Sequence, residues 1–289
     1  MRTPPRELIA RVARIVGMCP VAWVPVQGGY SLAGRWIVQF TEGRSVFAKI
    51  GATAETAVQL RAEYRFYAQV AANFLPALRG WEDGEEPILL LEDLSGAFWP
   101  PPWPPARVEH VLATLAAVAA TSPPPSLPAL ASSRDRLASW MQVADAPTLF
   151  LSLGLCTSAW LDVALPSLLA AEAAAILDGD SLVHLDVRSD NLCVVGGRVI
   201  LVDWNLACRG NAAVDVAAWL PSLAAEGGPD PMEIMPDEPA LAALMSGFFA
   251  ARAGLPPPEG APRVRGVQLS QLKRALPWAA ASLGLPPPG

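Results

Sequence analysis

The pattern of apolar and polar positions changes character along the chain. From Arg6 to Gly17 apolar residues recur at helical spacing, which predicts a first amphipathic helix. From Val21 to Ile50 apolar and polar residues alternate, with glycine pairs between them, as antiparallel strands do. Val24 to Ser31 predicts a strand and its turn, and Gly34 to Phe40 and Ser45 to Ile50 two further strands. Helical spacing returns from Ala54 to Asn73, with Leu60, Tyr64, Tyr67 and Val70 lining one face and Glu63 beside them. Ile88 to Leu91 is a fully apolar run of strand length, followed by the connector Glu92-Asp93-Leu94-Ser95-Gly96.

The proline-rich run from Trp99 to Pro105 cannot continue a helix or a central strand, so it marks a passage between two parts of the chain. Beyond it the pattern is mostly helical, with helices over Arg107 to Thr121, Arg134 to Ala144 and Ser158 to Asp178. A hairpin interrupts them: Leu192 to Val195, a Gly196-Gly197 turn, then Arg198 to Val202. The expected fold is therefore α+β. A small N-terminal lobe of antiparallel sheet plus helix spans 1–94, and a larger, mostly helical lobe spans 95–289.

Composition changes this picture in three ways. A hydrophobic share of 52% raises the question of a membrane span, but Val111 to Ala120 is too short and Ala159 to Leu177 carries Asp162, Pro166 and Glu172. Arg11 and Arg14 interrupt the N-terminal apolar run, so no signal peptide is expected and the expected location is the cytoplasm. Cys19, Cys156, Cys193 and Cys208 lack paired ligand spacing, which speaks against a zinc site or disulfide scaffold and for reduced, mostly buried thiols. A net charge of −6 leaves no basic stripe, so no nucleic-acid partner is expected, and a cationic substrate is permitted. Lysine occurs only at 49 and 273 and histidine only at 110 and 184, so each is informative.

The candidate chemistry brackets the hairpin. His184-Leu-Asp186-Val-Arg188-Ser-Asp190-Asn191 precedes it and Asp203-Trp204 follows it, so Asp186, Asn191 and Asp203 are expected to converge. Two carboxylates and an amide oxygen suit Mg²⁺, which takes hard oxygen ligands and leaves room for phosphates. Phosphoryl transfer needs little beyond such positioning and charge neutralisation. Lys49 stands in an apolar strand, where a cation without a partner is costly; Glu63 on the following helix supplies one, with Glu55 as the weaker alternative. Gly29 to Gly34 has the glycine spacing of a Walker loop, but Arg35-Trp36 replaces its Lys-Ser/Thr.

The order H-x-D-x-x-x-x-N, hairpin, D-W, with Lys49 and Glu63 upstream, resembles the aminoglycoside phosphotransferase and choline kinase group, relatives of protein kinases, over nearly the whole chain. The resemblance implies a two-lobed protein-kinase-like fold and an enzyme that uses ATP or GTP with Mg²⁺ to phosphorylate a hydroxyl of a small molecule. It implies Asp186 as catalytic base, Asn191 and Asp203 as Mg²⁺ ligands, Lys49 on the α- and β-phosphates with Glu63 bracing it, and His184 supporting the loop. Arg188 falls where protein kinases present a lysine to the γ-phosphate. Gly28, Gly29 and Ser31 fall where the family covers the phosphates, Glu92 and Leu94 where backbone groups read the base, and Asp215 where an acid braces the loop. Leu185 departs from the family, whose antibiotic kinases place glycine there.

The implied acceptor is an antibiotic of aminoglycoside or nucleoside type, with a choline-like or homoserine-like metabolite as the alternative. The acidic run from Glu226 to Glu238 is a candidate acceptor surface or a solvated loop. A metal-dependent hydrolase would leave Lys49 and Glu63 unexplained, and a non-catalytic binding module would not need every polar position filled.

Overall fold

The computed structural model describes residues 4–26, 32–258 and 260–289. In chain order its elements are α1 (Arg6–Val16), β1 (Ala22–Pro25), β2 (Gly34–Gln39), β3 (Ser45–Ile50), α2 (Ala54–Tyr67), β4 (Leu78–Glu82), β5 (Ile88–Glu92) and α3 (Pro105–Ala119). They continue with α4 (Arg134–Leu137), α5 (Trp140–Asp145), α6 (Thr148–Leu151), α7 (Ser158–Ala174), β6 (Ser181–Val183), β7 (Leu192–Val195), β8 (Arg198–Leu201) and β9 (Cys208–Gly210). The last four are α8 (Ala213–Ala225), α9 (Pro231–Ile234), α10 (Pro239–Ala253) and α11 (Val264–Ser282). The chain divides into two compact units, residues 1–99 with 190–207 and residues 100–189 with 208–289. The first unit thus takes in the hairpin as well as the N-terminal segment.

In the first unit the five strands form an antiparallel sheet in the order β1-β2-β3-β5-β4. Strand alternation divides β3 between the two faces of this sheet. Val46, Ala48 and Ile50 join Val38, Phe40, Ile88, Leu90 and Val12 of α1 in one apolar cluster. Phe47 and Lys49 point to the opposite face. Thr53 starts α2 by a capping box with Thr56, its side chain accepting from the Thr56 N–H. The β7–β8 hairpin turns at Gly196 and Gly197, whose φ values of 55° and 75° are those a tight turn of this hand requires. Its Cys193 and Ile200 pack with Leu94.

The second unit is built around α10, which is buried on nearly all sides from Leu241 to Ala250 and packs on α11, α7, α8 and α5. A helix apolar all round is a core helix, and its one sharp constraint is Gly247. A Cβ there would lie 2.4 Å from Glu172 Oε1 and 2.6 Å from Trp140 Cδ1, so only glycine lets the helices approach. Glu172 also explains why the helix expected over Arg134 to Ala144 is broken in two. Its buried carboxylate accepts the N–H groups of Ser139, at 2.7 Å, and Trp140, at 3.1 Å, and so caps α5 from α7. Burial, partly offset by these two N–H groups, raises the Glu172 carboxyl above its ordinary range. Among the described residues no helix is long and apolar enough to cross a membrane.

Cys19 is exposed and Cys156 half-buried, whereas Cys193 and Cys208 are buried. Burial, with Glu92 beside the first and Asp215 beside the second, pushes both thiols up to about 12. A raised pKa leaves almost no thiolate at pH 8, and the thiolate is the reactive form. Thiol titration of the native protein at pH 8 is therefore expected to label Cys19 at once and Cys193 and Cys208 only on unfolding. Prompt labelling of the buried pair would contradict the packing described here.

Candidate functional site

Lys49 is where the first unit gathers its charge. Its Nζ lies 2.6 Å from Glu63 Oε2 and 2.7 Å from Asp203 Oδ1, and its side chain is 10% exposed. The expected partner is thus Glu63; Glu55 is exposed and faces Gln59 instead. Burial by itself pulls the Lys49 ammonium's pKa down, but the Glu63 and Asp203 carboxylates outweigh it and hold the pKa above its ordinary value. Burial raises the Glu63 carboxyl, with Lys49 opposing. Tyr67, one turn along α2, is expected from the sequence only on the apolar face of the helix and joins this charged cluster as well. Burial first, then Glu63 and Asp203, push its phenol well above the ordinary value, so it stays neutral.

Asp203 reaches Lys49 because of its neighbour. Trp204 is 1% exposed, stacks on Phe66 of α2 with ring centroids 4.3 Å apart, and donates its indole N–H to the Leu201 carbonyl at 2.9 Å. That anchor fixes the start of the segment after β8 under the helix that carries Glu63. Asp203 adopts a left-handed backbone, φ 67° and ψ 54°, which aspartate tolerates better than most residues. Hairpin register pairs Leu192 with Leu201, and the Val202 N–H donates to the Asn191 carbonyl at 2.9 Å. Asn191 and Asp203 therefore come to the same open end of the hairpin. Among the described residues no three His, Cys, Asp or Glu side chains form a ready-made metal cage. One amide oxygen and one carboxylate fit an ion that takes its remaining ligands from phosphate and water, as Mg²⁺ does.

At the connector, the Glu92 N–H donates to the Ala77 carbonyl, and the Glu92 carboxylate accepts from the Ala77 N–H and from Arg198. The Leu94 carbonyl accepts from Ala97 and from the Trp99 indole, while the Leu94 N–H has no partner among the described residues. Gly28, Gly29 and Ser31 lie outside the described residues.

In the second unit the loop after β6 is braced from α8. Asp215, 3% exposed, accepts the backbone N–H of His184 at its Oδ2 and of Leu185 at its Oδ1, both at 2.7 Å. Burial raises its carboxyl above the ordinary range, against the pull of His184 and these two N–H groups. His184 is fully buried and accepts the Asp186 N–H at its Nδ1. Leu185 sits at φ 66°, a conformation that costs a non-glycine residue about 1–2 kcal/mol. Asp186 meets the Arg188 guanidinium, with Arg188 Nε 3.2 Å from Asp186 Oδ1. Ser189 donates to Glu226 Oε1 at 2.6 Å, and Glu226 Oε2 accepts the Trp103 indole N–H at 2.8 Å. In the acidic run, Asp230 and Glu233 form the capping box of α9.

The family model described as phosphotransferase enzyme family matches residues 22–277. The chain belongs to this family. No curated protein matches the phosphotransferase by sequence. Its fold is similar to that of a spectinomycin phosphotransferase solved with ADP and spectinomycin, at 11% identity and a TM-score of 0.65 over 98% of this chain and 99% of that one. A choline/ethanolamine kinase family protein from Mesorhizobium loti is similar at 14% identity and a TM-score of 0.62, over 96% and 97%. Choline kinase from Cryptosporidium parvum is similar at 10% identity and a TM-score of 0.54, over 97% and 95%. At these identities the likeness shows the fold: α+β and protein-kinase-like.

Asp215 ties the phosphotransferase's loop to its helical unit, so its removal should be felt at both. Asp215→Ala leaves two backbone N–H groups unpaired, at about 1–3 kcal/mol each. The melting temperature should fall, and kcat should fall about tenfold to a hundredfold as the loop shifts. Asp215→Asn, which keeps one acceptor oxygen, should lose less of both. Thermal melting and steady-state kinetics check this, and a full loss of stability with kcat unchanged would detach Asp215 from the loop's function.

Proposed function

We propose that the protein transfers the γ-phosphoryl group of ATP or GTP to a hydroxyl of a small molecule, an antibiotic of aminoglycoside or nucleoside type, and so confers resistance. The observation that carries this reading is Lys49, buried and charged between Glu63 and Asp203. An ammonium held this way is a phosphate ligand placed in advance, with its orientation fixed before nucleotide arrives. The shared fold with an antibiotic phosphotransferase and with choline kinases supports a small hydroxylated acceptor and leaves metabolite phosphorylation as the second reading.

Each residue then has a task. Lys49 binds the α- and β-phosphates and Glu63 orients it. Asn191 and Asp203 would hold Mg²⁺, which neutralises phosphate charge when bound. The Leu94 N–H and the Glu92 backbone would read the base, and Gly28, Gly29 and Ser31 would cover the phosphates. Asp186 accepts the proton of the acceptor hydroxyl as its oxygen bonds to the γ-phosphorus and the bond from that phosphorus to the β-phosphate oxygen breaks. Nucleoside diphosphate leaves. Arg188 orients the Asp186 carboxylate and lends positive charge toward the transferring phosphate.

A transfer screen with ATP and GTP across aminoglycosides, nucleoside antibiotics, macrolides, choline and homoserine, read by product mass, tests the reading. The expected result is one phosphate added to an antibiotic, lost in Asp186→Asn through kcat and not through nucleotide affinity. Transfer only to choline, homoserine or a protein would refute the antibiotic assignment.

A further inference from the structure

Between the end of α8 and the first turns of α11, the second unit holds an open pocket of about 450 Å³, within the size range of small-molecule sites. Two of its lining residues carry polar side chains of interest. Gln271 and Ser222 are each only 5% exposed, yet neither side chain makes a hydrogen bond among the described residues. Their polar atoms are not sealed from solvent, so they can pair with something that enters the pocket.

The charges of the lining narrow what that is. Among the described residues Glu226 is its one carboxylate, and its two oxygens accept from the Trp103 indole N–H and the Ser189 hydroxyl. Arg263, at the start of α11, is its one cation. A polycation is held best by several carboxylates, and among the described residues this lining has Glu226 alone. It offers instead the side-by-side donor and acceptor of the Gln271 amide, the Ser222 hydroxyl, and an apolar wall of Ala225, Pro262 and Val267. Those groups match the flat, uncharged donor–acceptor edge of a nucleobase. Glu226 also ties the pocket to the loop of Asp186, since Ser189 stands three residues after that aspartate.

We propose that this pocket is the acceptor site and selects an uncharged, nucleoside-type hydroxylated acceptor over polycationic aminoglycosides, with Gln271 as the specificity-determining residue. This rests on the phosphotransferase reading above.

The test uses MgATP with uridine as the uncharged probe and kanamycin as the polycationic one, in the unaltered protein and in Gln271→Leu, whose folding is checked by thermal melting. Uridine should be phosphorylated and kanamycin not. Gln271→Leu should raise the uridine KM about tenfold, the loss of one hydrogen bond, with kcat nearly unchanged. Gln271→Glu, which keeps an acceptor oxygen, should fall between the two. Phosphorylation of kanamycin, no transfer to uridine, or a uridine KM indifferent to Gln271 would each overturn the proposal. Acceptor-free MgATP hydrolysis in the unaltered protein and in Asp203→Ala separates the two failures. Hydrolysis that persists without Asp203 breaks the phosphotransferase reading, whereas hydrolysis that needs Asp203 while uridine is refused breaks only the acceptor assignment.

Discussion

Much of the first unit is arranged around one buried ammonium. Lys49 stands on the middle strand of the antiparallel sheet, between β2 and β5, where an isolated charge would be expelled or neutralised. Two carboxylates keep it charged, and each must be delivered from a different part of the chain. The Glu63 carboxylate comes from α2, whose start is set by the Thr53–Thr56 capping box. The Asp203 carboxylate comes from the end of the β7–β8 hairpin, held by the stack of Trp204 on Phe66. A buried pair stabilises little on balance, because desolvation offsets attraction. On the function proposed above, its value lies in holding a phosphate-binding cation in one place.

The second unit solves a different problem, holding an irregular loop still without regular secondary structure. Asp215 takes two consecutive loop N–H groups, His184 receives the next, and Arg188 meets Asp186 from within the loop. Leu185 is forced into a left-handed conformation by this bracing. Strain of this kind persists only where surrounding bonds over-determine the backbone, as they do here. The same unit carries the pocket lined by Gln271 and Ser222 that is proposed above as the acceptor site.

Sequence periodicity made α1, α2, β2, β3, β5 and the hairpin legible, because each buries one face or one run on a single core. Lys49 and Glu63 were legible for a related reason: a lone lysine in an apolar strand demands a partner, and helical spacing offered one. The sequence did not reveal β4, a short strand with a register shift between Leu78 and Gly80 that is interrupted by Arg79, or the three-residue strands β6 and β9. The break between α4 and α5 depends on a carboxylate 33 positions away at Glu172, which no local pattern encodes. Likewise the roles of Tyr67, Ser189, Glu226 and Gln271 arise from tertiary contacts among residues of ordinary type. The acidic run that suggested a binding surface is in part a helix cap, through Asp230 and Glu233.

The central claim is that Glu63 acts on nucleotide only through Lys49. A double-mutant cycle for MgATP binding, measured by calorimetry on the unaltered protein, Lys49→Ala, Glu63→Gln and the double variant, tests it directly. The account predicts that each single change weakens binding and that adding Glu63→Gln to Lys49→Ala weakens it no further. Strictly additive losses would contradict the claim, because Glu63 would then contribute by a route that does not pass through the ammonium.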